Sequence, residues 1–293
     1  MATLLKVLPV QNILAEGIQW HVDSQSLWWT DIHSSCLYQY LPASDDIRKI
    51  PMSERVGCFA FTPQPNQLVI AFASGIALYD LATQEIKWLA RPEANNLGNR
   101  LNDGRVDNQG FFWVGSLVEN PSLSTKKAQL YRLKDSQCQI MLNDISISNG
   151  LCFNQSGTAF YHADSVTGRI NQYSYPTDAE QSLSASLFAE TRSGASPDGA
   201  CIDNEGYMWS AHWGASKVVR YAPDGTVVHS IELPVTQPSC VAIGGENFDW
   251  LCITTAKEGL TNQQLAQQPQ AGNIFIYQLD KPLGLPENIC TQF

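Results

Sequence analysis

The sequence predicts an all-β protein, a six-bladed β-propeller, on three observations. Helical periodicity is almost absent; short β-branched and aromatic runs bounded by Gly, Asn, Asp and Pro recur along the chain; and those runs return at the length of one propeller blade.

The repeat starts are AEGIQW at 15–20, RVGCFAF at 55–61, NDGRVD at 102–107, SNGLCF at 148–153, PDGACID at 197–203 and PSCVAIG at 238–244. Their pivots, Gly17, Gly57, Gly104, Gly150, Gly199 and Ser239, are separated by 40, 47, 46, 49 and 40 residues, so six starts imply six blades. Most starts are followed by a turn and an aromatic second strand: NQG before FFWVGS, QSG before TAFYHAD, NEG before YMWSAHW, and DSQS before LWWTDI in the first repeat. Third strands are expected at SCLYQY, GIALYD, AQLYRL, GRINQY, SKVVRY and GNIFIY. TLLKVLP, at 3–9, precedes the first repeat and is expected to supply the outer strand of the last blade, which would remove a free sheet edge.

No linker or composition break divides the chain, so residues 1–293 are expected to form one domain. The stretches 118–128 and 176–197 are expected to be surface loops, and the Gln-rich 257–272 a loop or one short helix. With 44% hydrophobic and only 16% charged residues, the chain can bury a large core. A net charge of −10 without a basic cluster argues against nucleic acid and membrane surfaces as partners. The N-terminal residues carry no leader pattern and no apolar run approaches membrane-spanning length, so a cytoplasmic location is expected. The eight cysteines contain no C-x-x-C pair and sit largely in apolar runs, so buried free thiols are expected.

In a propeller the first strand of each blade lines the channel, so equivalent positions form a ring. The residues preceding the pivots are Glu16, Val56, Asp103, Asn149, Asp198 and Pro238, of which four of six are acid or amide. Asx-Gly pairs also occur in ordinary turns, but Glu16 is not a turn residue type. Burying such groups together is costly unless a hard cation neutralises them, so the ring reads as a metal site.

The segments LAEGIQW, NRLNDGRVDNQGFFWVGS, ISNGLCFNQSG and SPDGACIDNEGYMWSA resemble, in order, the signature segments of the regucalcin (senescence marker protein), gluconolactonase and luciferin-regenerating enzyme family. The resemblance runs from roughly residue 12 to 280. It implies a six-bladed propeller holding one divalent cation through Glu16, Asn149 and Asp198. It also implies substrate contacts from Asn102 and Arg100, and a weaker one from Glu119, because the family's G-T-M segment appears here as Gly115, Ser116, Leu117, Val118, Glu119. The repeat register puts Asp103 level with the ligands, whereas the resemblance puts Asn102 there.

Carboxylate and amide oxygens suit Ca, Mg or Mn, with Zn or Fe(II) as further candidates. Such a cation polarises an ester carbonyl and acidifies water, so the expected activity is opening of a sugar (aldono-) lactone, with the water activated by the cation and by Asp198 as base. The alternatives are a calcium-binding regulatory propeller and a metal-dependent esterase or organophosphate hydrolase. His21, His33, His162, His212 and His229 show no metal spacing, and Trp28, Trp29, Trp113, Trp209 and Trp213 read as core.

Overall fold

In two of the repeats the turn between the first and second strands is built on a single acid. Asp107 accepts the backbone N–H groups of Gln109 at 2.8 Å and Phe111 at 3.0 Å on Oδ1, and the Trp113 indole N–H at 2.7 Å on Oδ2. Asp203 does the same two blades later, for Glu205 and Tyr207 at 3.0 Å and for Trp209 at 3.0 Å. In both segments, VDNQGFFW and IDNEGYMW, one carboxylate satisfies the turn and anchors the tryptophan that becomes the core of the next strand.

The computed structural model describes residues 2–176 and 183–293. Their strands form six four-stranded antiparallel sheets, the six blades of the expected all-β propeller. The first sheet is β2 (Ala15–His21), β3 (Ser26–Asp31), β4 (Cys36–Leu41) and β5 (Asp46–Pro51). The second is β6 (Val56–Phe61), β7 (Gln67–Phe72), β8 (Gly75–Asp80) and β9 (Ile86–Ala90). The third is β10 (Asn99–Val106), β11 (Phe112–Val118), β12 (Ala128–Lys134) and β13 (Gln137–Ile145). The fourth is β14 (Ser148–Phe153), β15 (Ala159–Asp164), β16 (Arg169–Ser174) and β17 (Ala185–Glu190). The fifth is β18 (Ser196–Ile202), β19 (Met208–Trp213), β20 (Lys217–Tyr221) and β21 (Val227–Glu232). The sixth combines β22 (Pro238–Gly244), β23 (Trp250–Thr255) and β24 (Ile274–Gln278) with β1 (Thr3–Leu8).

β1 pairs antiparallel with β24 from Thr3 opposite Gln278 to Leu8 opposite Ile274, as the position of TLLKVLP led us to expect. The 257–272 stretch contains one short helix, α1 (Asn262–Gln267), started by a capping box between Thr261 and Gln264. The expectation of a loop over 176–197 is corrected in part: β17 occupies Ala185–Glu190, while 177–182 lie outside the described residues. β17 is exposed along most of its length, so it lacks the alternating apolar pattern by which a half-buried strand is recognised.

Contacts divide the chain into two compact units, Met1–Arg55 with Ala189–Glu287, and Val56–Phe188 with Asn288–Phe293. In the first unit β22 packs against both β2 and β18; in the second β10 packs against both β6 and β14. The core of each unit lies between sheets. Trp209 packs with Val218, Val241, Ile253 and Phe275 in the first unit, and Trp113 with Leu130, Leu151 and Phe160 in the second. All eight cysteines are free thiols, seven of them buried and Cys138 partly so. Burial pushes the Cys138, Cys152 and Cys290 thiols up to about 12, so they act as small apolar groups rather than nucleophiles.

Candidate functional site

Every blade carries an irregularity at its pivot. The pairing between first and second strands shifts between Glu16 and Gln19, Val56 and Cys58, Leu101 and Gly104, Asn149 and Cys152, Pro197 and Ala200, and Pro238 and Val241. A bulge breaks the two-residue alternation and re-aims the side chain at its start. Gly150 adopts a left-handed φ of 61°, which only glycine takes without strain. Gly57 is demanded by proximity instead, since a Cβ there would lie 2.5 Å from the carbonyl oxygen of Asn102 on the neighbouring β10.

In the first unit, Glu16 on β2 and Asp198 on β18 both fall at their bulges, and both are buried, 8% and 6% exposed. Glu16 Oε2 accepts the Gly17 N–H at 3.0 Å. The strand leading to Glu16 is fixed by Asp31, whose carboxylate takes the N–H groups of Ile13 at 3.1 Å and Leu14 at 3.0 Å. His212, buried on β19 and cross-strand from Pro197, is bonded to the Tyr221 hydroxyl at 3.0 Å, and burial lowers it to about 4. It is a neutral core histidine. Trp213 packs against Leu14, Ile32 and Ala256.

In the second unit, four of the predicted residues are joined in one chain of hydrogen bonds. Arg100 Nε donates to Glu119 Oε1 at 3.0 Å, and Arg100 Nη1 donates to Asn102 Oδ1 at 2.7 Å and to the Leu101 carbonyl at 3.1 Å. Asn102 Nδ2 in turn donates to Asn149 Oδ1 at 2.9 Å and to the Ser148 carbonyl at 3.0 Å, and Asn149 Nδ2 donates to Ser165 Oγ at 2.9 Å. Asp164 holds the entry to β14, and so Asn149, by accepting the N–H groups of Ser146 at 2.9 Å and Ile147 at 3.1 Å. This repeats the role of Asp31 in the first blade.

The two neighbours Asn102 and Asp103 are separated by this geometry. Asn102 faces Asn149, whereas Asp103 Oδ2 accepts the Leu151 N–H at 3.1 Å, and burial pushes its carboxyl above the ordinary range. The register shift between Leu101 and Gly104 spans both residues, so counting along the repeat does not fix which of them turns towards Asn149. Glu119, drawn from the resemblance alone, sits against Arg100. Sequence reasoning missed Ser165 and also Glu93, a buried acid whose only sequence signal is the run of amides that follows it in EANNLGN.

Among the described residues no three His, Cys, Asp or Glu side chains group as a metal site. The expected ligand set instead contains two carboxylates and an amide. All of its donors are oxygens, which fits a hard divalent cation rather than a soft one. Among the described residues no helix is long and apolar enough to cross a membrane.

Residues 14–257 match the family profile described as SMP-30/Gluconolactonase/LRE-like region. The chain is 33% identical over 279 residues to an L-arabinolactonase of Azospirillum brasilense, covering 94% of this chain and 91% of that one. It is also 33% identical to a 6-deoxy-6-sulfogluconolactonase of Pseudomonas putida, covering 96% of each. Among solved structures, a regucalcin of Agrobacterium tumefaciens described as a calcium-binding protein superposes with a TM-score of 0.89 at 28% identity, covering 99% of each chain. Matched by this profile over most of its length, the chain belongs to the SMP-30/gluconolactonase/LRE-like family.

Proposed function

We propose that the protein is a lactone hydrolase that opens a sugar lactone with the help of one divalent cation. The observation that carries this reading is the continuous chain Glu119–Arg100–Asn102–Asn149, in which a carboxylate, a guanidinium and two amides hold one another in a fixed polar array. Hydroxyl-rich neutral substrates are bound by such arrays, and ordering the donors in advance lowers the cost of binding. Relatives that are lactonases, similar over nearly the whole chain, support the substrate class.

Glu16, Asn149 and Asp198 would hold the cation, each in the position before the pivot of its own sheet. When bound, it would supply Lewis-acid polarisation of the lactone carbonyl and a lowered water pKa. The calcium-binding description of the solved regucalcin supports a hard ion such as Ca, with Mg, Mn, Zn and Fe(II) as the other candidates.

The protein's own groups do the rest. Asp198 accepts the proton of the attacking water as its oxygen bonds to the carbonyl carbon, and returns a proton to the ring oxygen as the ring C–O bond breaks. Arg100 and Asn102 orient the ring hydroxyls, with Glu119 fixing the guanidinium plane. The products are balanced: one water is added and one hydroxy acid leaves.

The test is a panel of aldonolactones offered to metal-stripped protein with each divalent metal in turn. Turnover on at least one lactone that vanishes on chelation and returns with metal supports the proposal. Full activity after exhaustive chelation removes the metal from it, and phosphotriester cleavage without lactone cleavage favours the esterase alternative.

A further inference from the structure

Glu93 lies between β9 and β10 with its side chain 2% exposed. Its two carboxylate oxygens face different parts of the second unit. Oε1 accepts from Ser116 Oγ on β11 at 2.6 Å and from the Tyr131 hydroxyl on β12 at 2.8 Å, so it is pinned to the sheet. Burial, followed by the bond to Glu93, raises the Tyr131 phenol, which keeps it a donor. Oε2 faces the loops instead, with Asn96 Nδ2 at 3.3 Å, Asn99 Nδ2 at 3.5 Å and Lys126 Nζ at 3.5 Å.

The two amides thus oriented reach across to a second loop. Asn96 Oδ1 accepts the Thr125 N–H at 2.7 Å and Asn99 Oδ1 accepts from Ser124 Oγ at 2.9 Å. Between them, the Gly98 carbonyl accepts the N–H groups of Glu119 and Asn120, both at 2.9 Å. The loops touch so closely that a Cβ on Gly98 would lie 2.2 Å from the Ser124 nitrogen. One loop runs into β10, whose second residue is Arg100, and the other begins at Glu119, the two members of the ion pair described above.

We propose that Glu93 is a positioning residue that clasps the 91–98 loop to the 119–127 loop and thereby sets the Arg100–Glu119 pair. A buried carboxylate is costly to maintain and could be replaced by apolar packing if it served stability alone. Here its donors outside the sheet all belong to the segments that lead to Arg100 or follow Glu119. The clasp rests on these distances; only its effect on turnover rests on the lactonase reading.

The experiment compares wild type with Glu93→Gln, which keeps the shape and removes the charge. Three quantities are read: amide hydrogen exchange of residues 119–127, the kinetic constants on the lactone, and Tm. The expected result is exchange faster by about tenfold in that segment but not in β24, and KM raised about fivefold with kcat within about twofold. Unchanged exchange overturns the clasp, whatever the substrate is, and faster exchange with an unchanged KM overturns its role in binding. If Glu93→Gln does not fold, Asn96→Ala removes the Asn96 bonds to Glu93, Thr125 and the Lys126 carbonyl while leaving the Glu93 carboxylate on the sheet, and is read in the same way. A wild type that opens no lactone sinks the lactonase reading, and exchange alone then decides the clasp.

Discussion

The side-chain amide of Asn102 on β10 donates to the Oδ1 of Asn149 on β14 at 2.9 Å, while its own oxygen accepts from Arg100 at 2.7 Å. Asn102 therefore couples a residue proposed to hold the cation to one proposed to hold the sugar. Replacing Asn102 with Ala leaves two buried partners without this bond and should cost about 1–3 kcal/mol of stability. In an Arg100/Asn102 double-mutant cycle on kcat/KM, the coupling should be non-zero, of order 0.5–3 kcal/mol. Additive effects would mean that the two residues act separately.

Arg100→Ala should act mainly on KM, by about 1–3 kcal/mol, because hydroxyl contacts held alike in ground and transition states lower affinity without slowing chemistry. Glu119→Gln should shift KM in the same direction by less, since it loosens the guanidinium without removing it. Unchanged kinetics in Arg100→Ala on every lactone would remove the sugar contact.

Asp198→Asn should abolish turnover while the fold survives, because an amide keeps an oxygen donor but cannot take the proton. The circular dichroism spectrum should match wild type. Near-normal kcat with metal supplied would take Asp198 out of the base role. Glu16→Gln is the contrast, with activity that excess metal partly restores.

Deleting residues 2–9 removes β1, including Leu8, which packs in the core with Ala15, Trp20 and Trp29, and uncovers the edge of β24. Losing the ladder and a buried leucine should cost about 3–5 kcal/mol, or roughly 10 °C in Tm, and the bare edge should promote aggregation. A monomeric truncation with wild-type Tm would show that β1 contributes nothing to closing its sheet.

His162 and His212 are both buried and lowered to about 4, chiefly by desolvation. A base whose folded pKa lies below its unfolded value near 6.5 is protonated first in the unfolded chain, so the stability it contributes is present above about 6.5 and is lost as pH falls towards 4. Each should remove up to about 3 kcal/mol across that window. Tm measured from pH 7 to pH 4 should fall more steeply in wild type than in His162→Gln.

The sequence by itself determined the number of blades and the order of the strands read from it. Turn chemistry and period-2 apolar runs are local, and they recur at intervals of 40–49 residues, so the first and third strands of all six sheets, the second strands of four and the outer strand β1 were legible. The second strands β7 and β23 and the outer strands β5, β9, β13, β17 and β21 were not. At the site, the repeat register nominated Asp103, because sequence counts residues and does not record where a bulge rotates them; the shift between Leu101 and Gly104 turned Asn102 towards Asn149 and Asp103 towards Leu151. The pairing of Arg100 with Glu119, 19 residues apart, and the clasp at Glu93 were decided only by the tertiary structure. Both tie loop residues to neighbouring strands across stretches whose sequences carry no period, and such a bond depends on backbone positions that only packing of the strands beneath the loops sets.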